Sequence, residues 1–206
     1  MNPALRLMIY DRSCTGKTML PGLSHSWWAG GHLYRGLRQL DAFYGAHHWH
    51  DALRWIAEYR PNHPIAEIQF WGHGKWGSAK IAHQTLDADA LSSEHPFHGA
   101  LLAIRKRMRS DSLWWFRTCE TFGADAGHHF AHAWATWWNC RAAGHTYIIG
   151  PLQSGLHSLL PQQTPHWPNT EGISEGSAQH PLRAHPSSVF LPNTISCLHT
   201  RIPAGF

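Results

Sequence analysis

The chain has 206 residues, 43% hydrophobic and 12% aromatic, which is enough for one domain with a substantial core. Only 15% of residues are charged and the formal net charge is +4; the Lys and Arg are scattered except for "RKRMR" at 105–109, so no nucleic-acid partner is expected. The four cysteines form no CxxC pair, no apolar run reaches membrane-spanning length, and the start "MNPALRLMIYDRS" lacks signal-peptide order, so a cytoplasmic protein without disulfides or membrane association is expected.

In chain order, "ALRLMIYD" (4–11) reads as a first strand. A long Gly/Ser/Thr-rich loop follows, carrying Trp27 and Trp28. Leu33, Leu37, Leu40 and Tyr44 recur at helical spacing, as do Trp49, Leu53, Ile56 and Tyr59. "RPNHP" (60–64) ends the second helix, because proline disfavours helix before it. Ile65 to Trp71 is the second strand, and "SAKIAHQTL" is a short pairing segment. "HGALLAIRKRM" is an amphipathic helix with a basic end. "DSLWWFRTC" (111–119) is a third strand, "ADAGHHFAHAWATWWNC" a helix with Asp125 as its cap, and "HTYIIG" a fourth strand. From Gly155 to Pro192 the composition turns to Pro, Ser, Gly and His, which reads as a long irregular loop; "VFLPNTISCLHTRI" then returns as β segments at the sheet edge. Alternation of strands and helices predicts a mostly parallel α/β sheet with helices on both faces, in one domain over residues 1–206.

In such a sheet, reactive groups collect at the carboxyl ends of the strands. "IAEIQFWGHGKWG" ends a buried strand on a histidine between two glycines, and the third strand ends on Cys119, 46 residues after His73 (119 − 73). That separation holds one helical crossover, so the two strand ends can be neighbours. A thiol attacks as thiolate, and a nearby imidazole or helix start lowers its pKa; the imidazole then protonates the leaving amine. The backbone N–H of Gly74, bare of a side chain, and that of Cys119 would hold the oxyanion. Trp76, three residues after His73, is placed to wall the cleft. The opposing reading is a turn shaped by Gly72 and Gly74 and a buried core cysteine.

An apolar strand ending in His-Gly, then an apolar strand ending in Cys, resembles the caspase-like cysteine peptidases, the group of caspases, legumain, gingipains and separase. "TCETFG" is similar to the legumain form, with Glu120 after the cysteine, and departs from the caspase Gln-Ala-Cys-Arg-Gly. "GHGKWGSAKIAHQTLDADAL" followed by "WWFRTCETFGADAGHHFAHAWA" is also similar to a caspase-like domain of large bacterial surface proteins. The resemblance spans roughly 65–151 with 5–11 as first strand. It implies a caspase-like three-layer sandwich and endopeptidase activity by a His73/Cys119 dyad without a cofactor, acting on peptide or protein substrates. The segment from Gly155 to Pro192 is expected to border the cleft and is a candidate for autoprocessing or for contact with a regulatory protein partner. In the resembling peptidases, the loop after the first strand and the residues around the cysteine strand line the specificity pocket. Here these are Asp11, Arg12, Arg117 and Glu120. Arg12 with Arg117 favour an acidic residue before the cut bond, and Asp11 a basic one, the acidic preference leading. A caspase-like fold without activity, serving as an interaction module, is the alternative.

Other motifs carry less. "DRSCTGKT" mimics a phosphate-binding loop, but Asp11 stands where the pattern needs glycine, and a carboxylate facing a phosphate is unfavourable. "HHWH" (His47, His48, His50) and "HHFAH" (His128, His129, His132) gather imidazoles, yet no third ligand or catalytic glutamate accompanies them, and with 19 histidines such clusters arise by chance; no metal is expected. No Gly-x-Ser-x-Gly elbow is present.

Overall fold

The computed structural model describes residues 2–16 and 22–206. β1 (Leu5–Asp11) is followed by α1 (Leu23–Gly36), β2 (Ala42–Ala46) and α2 (Trp49–Glu58). β3 (Ile65–Trp71) leads into a small meander of β4 (His73–Lys75), β5 (Ser78–Ile81) and β6 (Gln84–Leu86). A 3-10 turn at Ala88–Leu91 and α3 (His98–Arg105) come next, then β7 (Met108–Arg117), α4 (Ala124–Trp138) and β8 (Arg141–His145). The C-terminal part adds β9 (Leu152–Gln153), β10 (Leu156–Leu159), the hairpin β11 (Ile173–Gly176) and β12 (Pro181–Ala184), and β13 (Ile195–Ser196).

The central sheet has six strands in the order β10-β8-β7-β3-β1-β2. All neighbours are parallel except β10, which runs antiparallel to β8. Side chains alternate across this sheet, so each strand feeds two cores. Leu7 and Ile9 of β1, Ile68 and Phe70 of β3, and Trp114 and Phe116 of β7 point to the side of α2, α3 and α4. There Phe116 meets Phe130 at 5.1 Å and Trp114 meets Trp138 at 4.6 Å between ring centroids. Each such fully buried aromatic stabilises the fold by about 1.5–3 kcal/mol. Met8, Tyr10 and Trp71 point the other way, against Tyr34 of α1, and Trp115 packs there on Leu156 and Ile195. The molecule is thus a mixed α/β sandwich with helices on both faces of a mostly parallel sheet.

Several boundaries differ from the expectations. The helix expected over Leu33 to Tyr44 is instead α1, which begins at Leu23, carries Trp27 and Trp28, and stops at Gly36. The spacing misled because Leu33 and Leu37 are 46% and 56% exposed, while Tyr44 belongs to a strand. The fourth strand is Arg141–His145 rather than "HTYIIG". Its small residues are needed, since a side chain on Gly144 would come within 2.5 Å of the Phe122 ring. The expected long loop over 155–192 contains β10, a full member of the central sheet, and the β11–β12 hairpin. The returning segment forms only β13, which pairs with β9 and not with the central sheet edge. The basic run after α3 has a structural role: Arg107 caps α2, donating to the carbonyls of Ile56, Ala57, Tyr59, Arg60 and His63.

Candidate functional site

Strand order decides where chemistry gathers. β1 and β3 are adjacent, and β3 pairs with β7 so that Trp71 lies opposite Arg117. The segments leaving β1, β3 and β7 at their carboxyl ends therefore converge, at the point where the order turns back from β2-β1 to β3-β7. His73 leaves β3 after Gly72, and Cys119 lies two residues beyond β7. Both line one cavity of about 490 Å³.

Gly74 has a packing reason for being glycine. A side chain there would come within 2.6 Å of the Cys119 carbonyl oxygen and 2.8 Å of Thr118 Cβ, so β4 lies directly on the turn that carries Cys119. That turn is unusual: Glu120 has φ of 58° and Ala124 φ of 63°, the left-handed region that costs a non-glycine residue about 1–2 kcal/mol. It is held by Glu120 N–H to the Tyr147 carbonyl, Phe122 N–H to the His145 carbonyl and Gly77 N–H to the Thr121 carbonyl. Strain of this kind persists where the surroundings over-determine it, and it clusters at active sites.

The Cys119 thiol is mostly buried, and burial pushes its pKa up. Ile149 N–H, donating to the sulfur at 3.4 Å, pulls the pKa down, as does the thiol's own backbone N–H, while the Glu120 carboxyl pushes it up again. The expected helix start does not contribute: α4 begins only at Ala124, and the donor at the sulfur comes from the segment after β8. Asp125 does not cap α4 with its side chain either; its carboxyl accepts from Asn169 and Gln179. The exposed His73 makes a bond that the sequence did not announce. Its Nε2 lies 3.3 Å from Sγ of Cys14, in the segment after β1, and Trp27 of α1 stands edge-on to the imidazole at 5.7 Å. Among the described residues no hydrogen bond joins His73 to Cys119.

Arg117 lines the same cavity but is 2% exposed. Nε and Nη2 donate to Gln153 Oε1 at 3.1 and 2.8 Å, Nη1 to Tyr34 Oη at 2.8 Å and the His199 carbonyl at 3.0 Å, and Nη2 to the Cys197 carbonyl at 3.0 Å. A guanidinium has five N–H donors, so all are engaged. The rings of Trp115 and Trp71 flank it at 4.5 and 4.6 Å. The Tyr34 hydroxyl accepts from Arg117 and donates to the Cys197 carbonyl at 2.7 Å, so the C-terminal segment is locked onto this arginine. Burial pulls the Arg117 pKa down, with Tyr34 opposing.

The remaining expected site residues lie away from the cavity. Asp11 is 2% exposed and accepts from Ser13 N–H at 2.8 Å, closing the turn after β1. Arg12 gives its N–H to the Ala46 carbonyl and does not line the cavity. Glu120 is buried with its Oε2 3.6 Å from Lys75 Nζ, outside the cavity lining. Trp76 takes Lys75 Nζ over its ring at 3.9 Å and borders a separate hollow with Lys80, Asp87 and His129. The cavity wall expected of Trp76 is supplied instead by Trp27 and Trp71. Sequence reasoning missed Cys14, Tyr34, Gln153 and Ile149. For Cys14 a signal existed: it follows the first strand, which in a parallel sheet ends beside the second.

His47, His48 and His50 are exposed around the start of α2, while His132 bonds the Gln163 carbonyl and His128 stands edge-on to Trp167. Among the described residues no three His, Cys, Asp or Glu side chains converge as metal ligands. The phosphate-loop mimic runs into Lys17 and Thr18, which lie outside the described residues. No described helix is long and apolar enough to cross a membrane. No protein-family model matches the chain, and neither a curated protein nor a solved structure matches it.

Proposed function

We propose that the chain is a caspase-like cysteine endopeptidase, with Cys119 as nucleophile and His73 as general acid and base. One observation carries the reading: His73 and Cys119, leaving neighbouring parallel strands at their carboxyl ends, open onto the same cavity. The sulfur attacks the scissile carbonyl carbon, and its proton passes to the imidazole. The backbone N–H groups of Cys119 and Gly74 hold the oxyanion. The imidazolium gives its proton to the leaving amine, and water then hydrolyses the thioester.

With the thiol pKa raised by burial and His73 bonded to Cys14, the free protein is a resting form. Substrate must draw the imidazole toward the scissile bond, as catalytic bonds that are long in free enzymes tighten in the complex. That same bond to Cys14 favours a second reading, a non-catalytic interaction module on a caspase-like fold.

Alkylation with iodoacetamide and with a peptidyl chloromethyl ketone, mapped by mass spectrometry, separates the two. For a peptidase, iodoacetamide labels Cys119 slowly at pH 7 and faster as pH rises, whereas the peptidyl reagent labels it much faster and His73→Ala removes that advantage. Equal rates for both reagents, unchanged in His73→Ala, leave the interaction module. Preferential, His73-dependent labelling of Cys14 would move the nucleophile to that residue.

A further inference from the structure

We propose that the cavity beside Cys119 receives a bulky apolar side chain of a peptide, aromatic or leucine-like, and rejects charged ones. The proposal deepens the peptidase reading and rests on it. It replaces the acidic preference that Arg117 suggested.

The volume of the cavity, about 490 Å³, lies in the range of small-ligand pockets. Its wall is mostly apolar, and Trp27, Leu33, Trp71, Ile149, Pro151 and Leu198 contribute to it. Two of these, Leu33 of α1 and Leu198 of the C-terminal segment, are 46% and 64% exposed. Exposed apolar groups bordering a concave site are what an apolar ligand covers.

A carboxylate would gain little here. Among the described residues Arg117 is the one Lys or Arg in the wall, and each of its N–H groups already has an acceptor in Gln153, Tyr34 or the carbonyls of Cys197 and His199. The Arg117 charge attracts an entering carboxylate, but the carboxylate would lose its water and find no free donor on that guanidinium, and that loss outweighs an attraction without a hydrogen bond. A lysine or arginine side chain fares worse: among the described residues no Asp or Glu lines the cavity, and the Arg117 charge repels it. An aromatic ring or a leucine loses only apolar hydration and gains contact with Trp27 and Trp71.

The test uses the full chain and three acetylated dipeptidyl chloromethyl ketones that differ only in the residue bearing the reactive group: Phe, Asp or Lys. The Cys119 adduct is followed by mass spectrometry. The Phe reagent should label at least about tenfold faster than either charged one, the discrimination an apolar pocket typically reaches. Leu33→Asn and Leu198→Asn, both at exposed positions and both uncharged, should shrink that ratio, and an unchanged ratio in both overturns the proposal. An Asp or Lys reagent that equals or beats Phe overturns the proposal. In parallel, acetyl-Phe-amide and acetyl-Asp-amide are titrated against the tryptophan fluorescence of Cys119→Ser. Binding of the Phe amide alone, with no reagent reacting faster than iodoacetamide, keeps the apolar cavity and sinks the peptidase reading. No preference between the amides overturns the cavity proposal whatever the reagents do.

Discussion

The two faces of the central sheet are built on different physics. On the side of α2, α3 and α4 the contacts are apolar and aromatic, with Trp114, Phe116, Phe130, Trp134 and Trp138 packed into one cluster. On the side of α1 and the C-terminal segment, the apolar clusters are smaller and polar groups run between them. Arg6 pairs with Glu67 at 2.6 Å, Glu67 accepts from Gln69, Gln69 accepts from Trp71 Nε1, and Arg117 joins Gln153, Tyr34 and the backbone of Cys197 and His199. Strand β7 shows the division residue by residue: Trp114 and Phe116 serve the dry face, Trp115 and Arg117 the polar one. The dry face can be stable with many side-chain sets of similar volume. The polar face depends on every partner being present, and it is the face that carries the cavity.

The largest loss of stability is expected on the dry face. Trp134 is fully buried and touches Trp114, Phe116, Phe130 and Trp138. Trp134→Ala should lower unfolding stability by about 3–5 kcal/mol, through lost transfer energy and the cavity left behind. Trp134→Phe, which retains part of that volume, should recover a large part of the loss in denaturant titrations. On the polar face, Arg117→Met removes one side chain but strands Gln153 Oε1 and the carbonyls of Cys197 and His199. The expected loss is smaller, about 2–3 kcal/mol, because the bordering cavity lets water reach the stranded acceptors. It should also free the C-terminal segment, seen as faster amide exchange at Cys197 than in the parent. Equal exchange would mean that β13 pairing alone holds that segment.

The same division explains what could be read in the sequence. β3 was legible to the residue because "IAEIQFW" is apolar and bounded by proline and glycine, and α2 because its four apolar residues share one face. β8 and β10 were not, since "RAAGH" and "LHSL" look like loop and owe their strand state to neighbours. In the site, His73 and Cys119 stood out because each follows an apolar run. The partners of Arg117 did not, since Tyr34 and Cys197 lie 83 and 80 residues away from it and no local pattern joins them. Arg117 itself was visible, but as a free charge; its burial is a property of the far C-terminal segment closing over it.

His145 gives the polar face a dependence on pH. It is fully buried at the polar face, its Nδ1 donating to the Ser154 carbonyl at 3.2 Å. Among the described residues its Nε2 has no partner. Burial, aided by the Arg117 charge, pulls its pKa from 6.5 down to about 3. An imidazole that stays neutral in the fold but protonates when unfolded contributes stability that is full above pH 6.5 and is lost as pH falls toward 3. Between pH 7 and 5 the loss from this group should be about 2 kcal/mol. His145→Asn keeps a donor near the Nδ1 position and cannot titrate. Denaturant midpoints measured at both pH values should therefore converge in the variant, and a parent-like slope would assign the acid sensitivity to the other histidines.

The smallest effect sits where the two faces meet the nucleophile. Burial pushes the Glu120 carboxyl pKa up, and Lys75, half-exposed at 3.6 Å, only partly counters this. A raised carboxyl binds its proton more tightly folded than unfolded, so its charge costs stability as pH rises above the ordinary 4.5. Glu120→Gln removes that charge at the expense of an exposed-partner ion pair worth less than about 1 kcal/mol. Stability at pH 7 should then change little or rise slightly, while the gain should vanish near pH 4. The same substitution removes the negative charge that raises the Cys119 thiol. Iodoacetamide labelling of Cys119 at pH 8 should rise a few-fold at most. The thiol would still be held back by burial, the larger of its two brakes. A much larger rise would reverse that order and make Glu120 the principal restraint on the nucleophile.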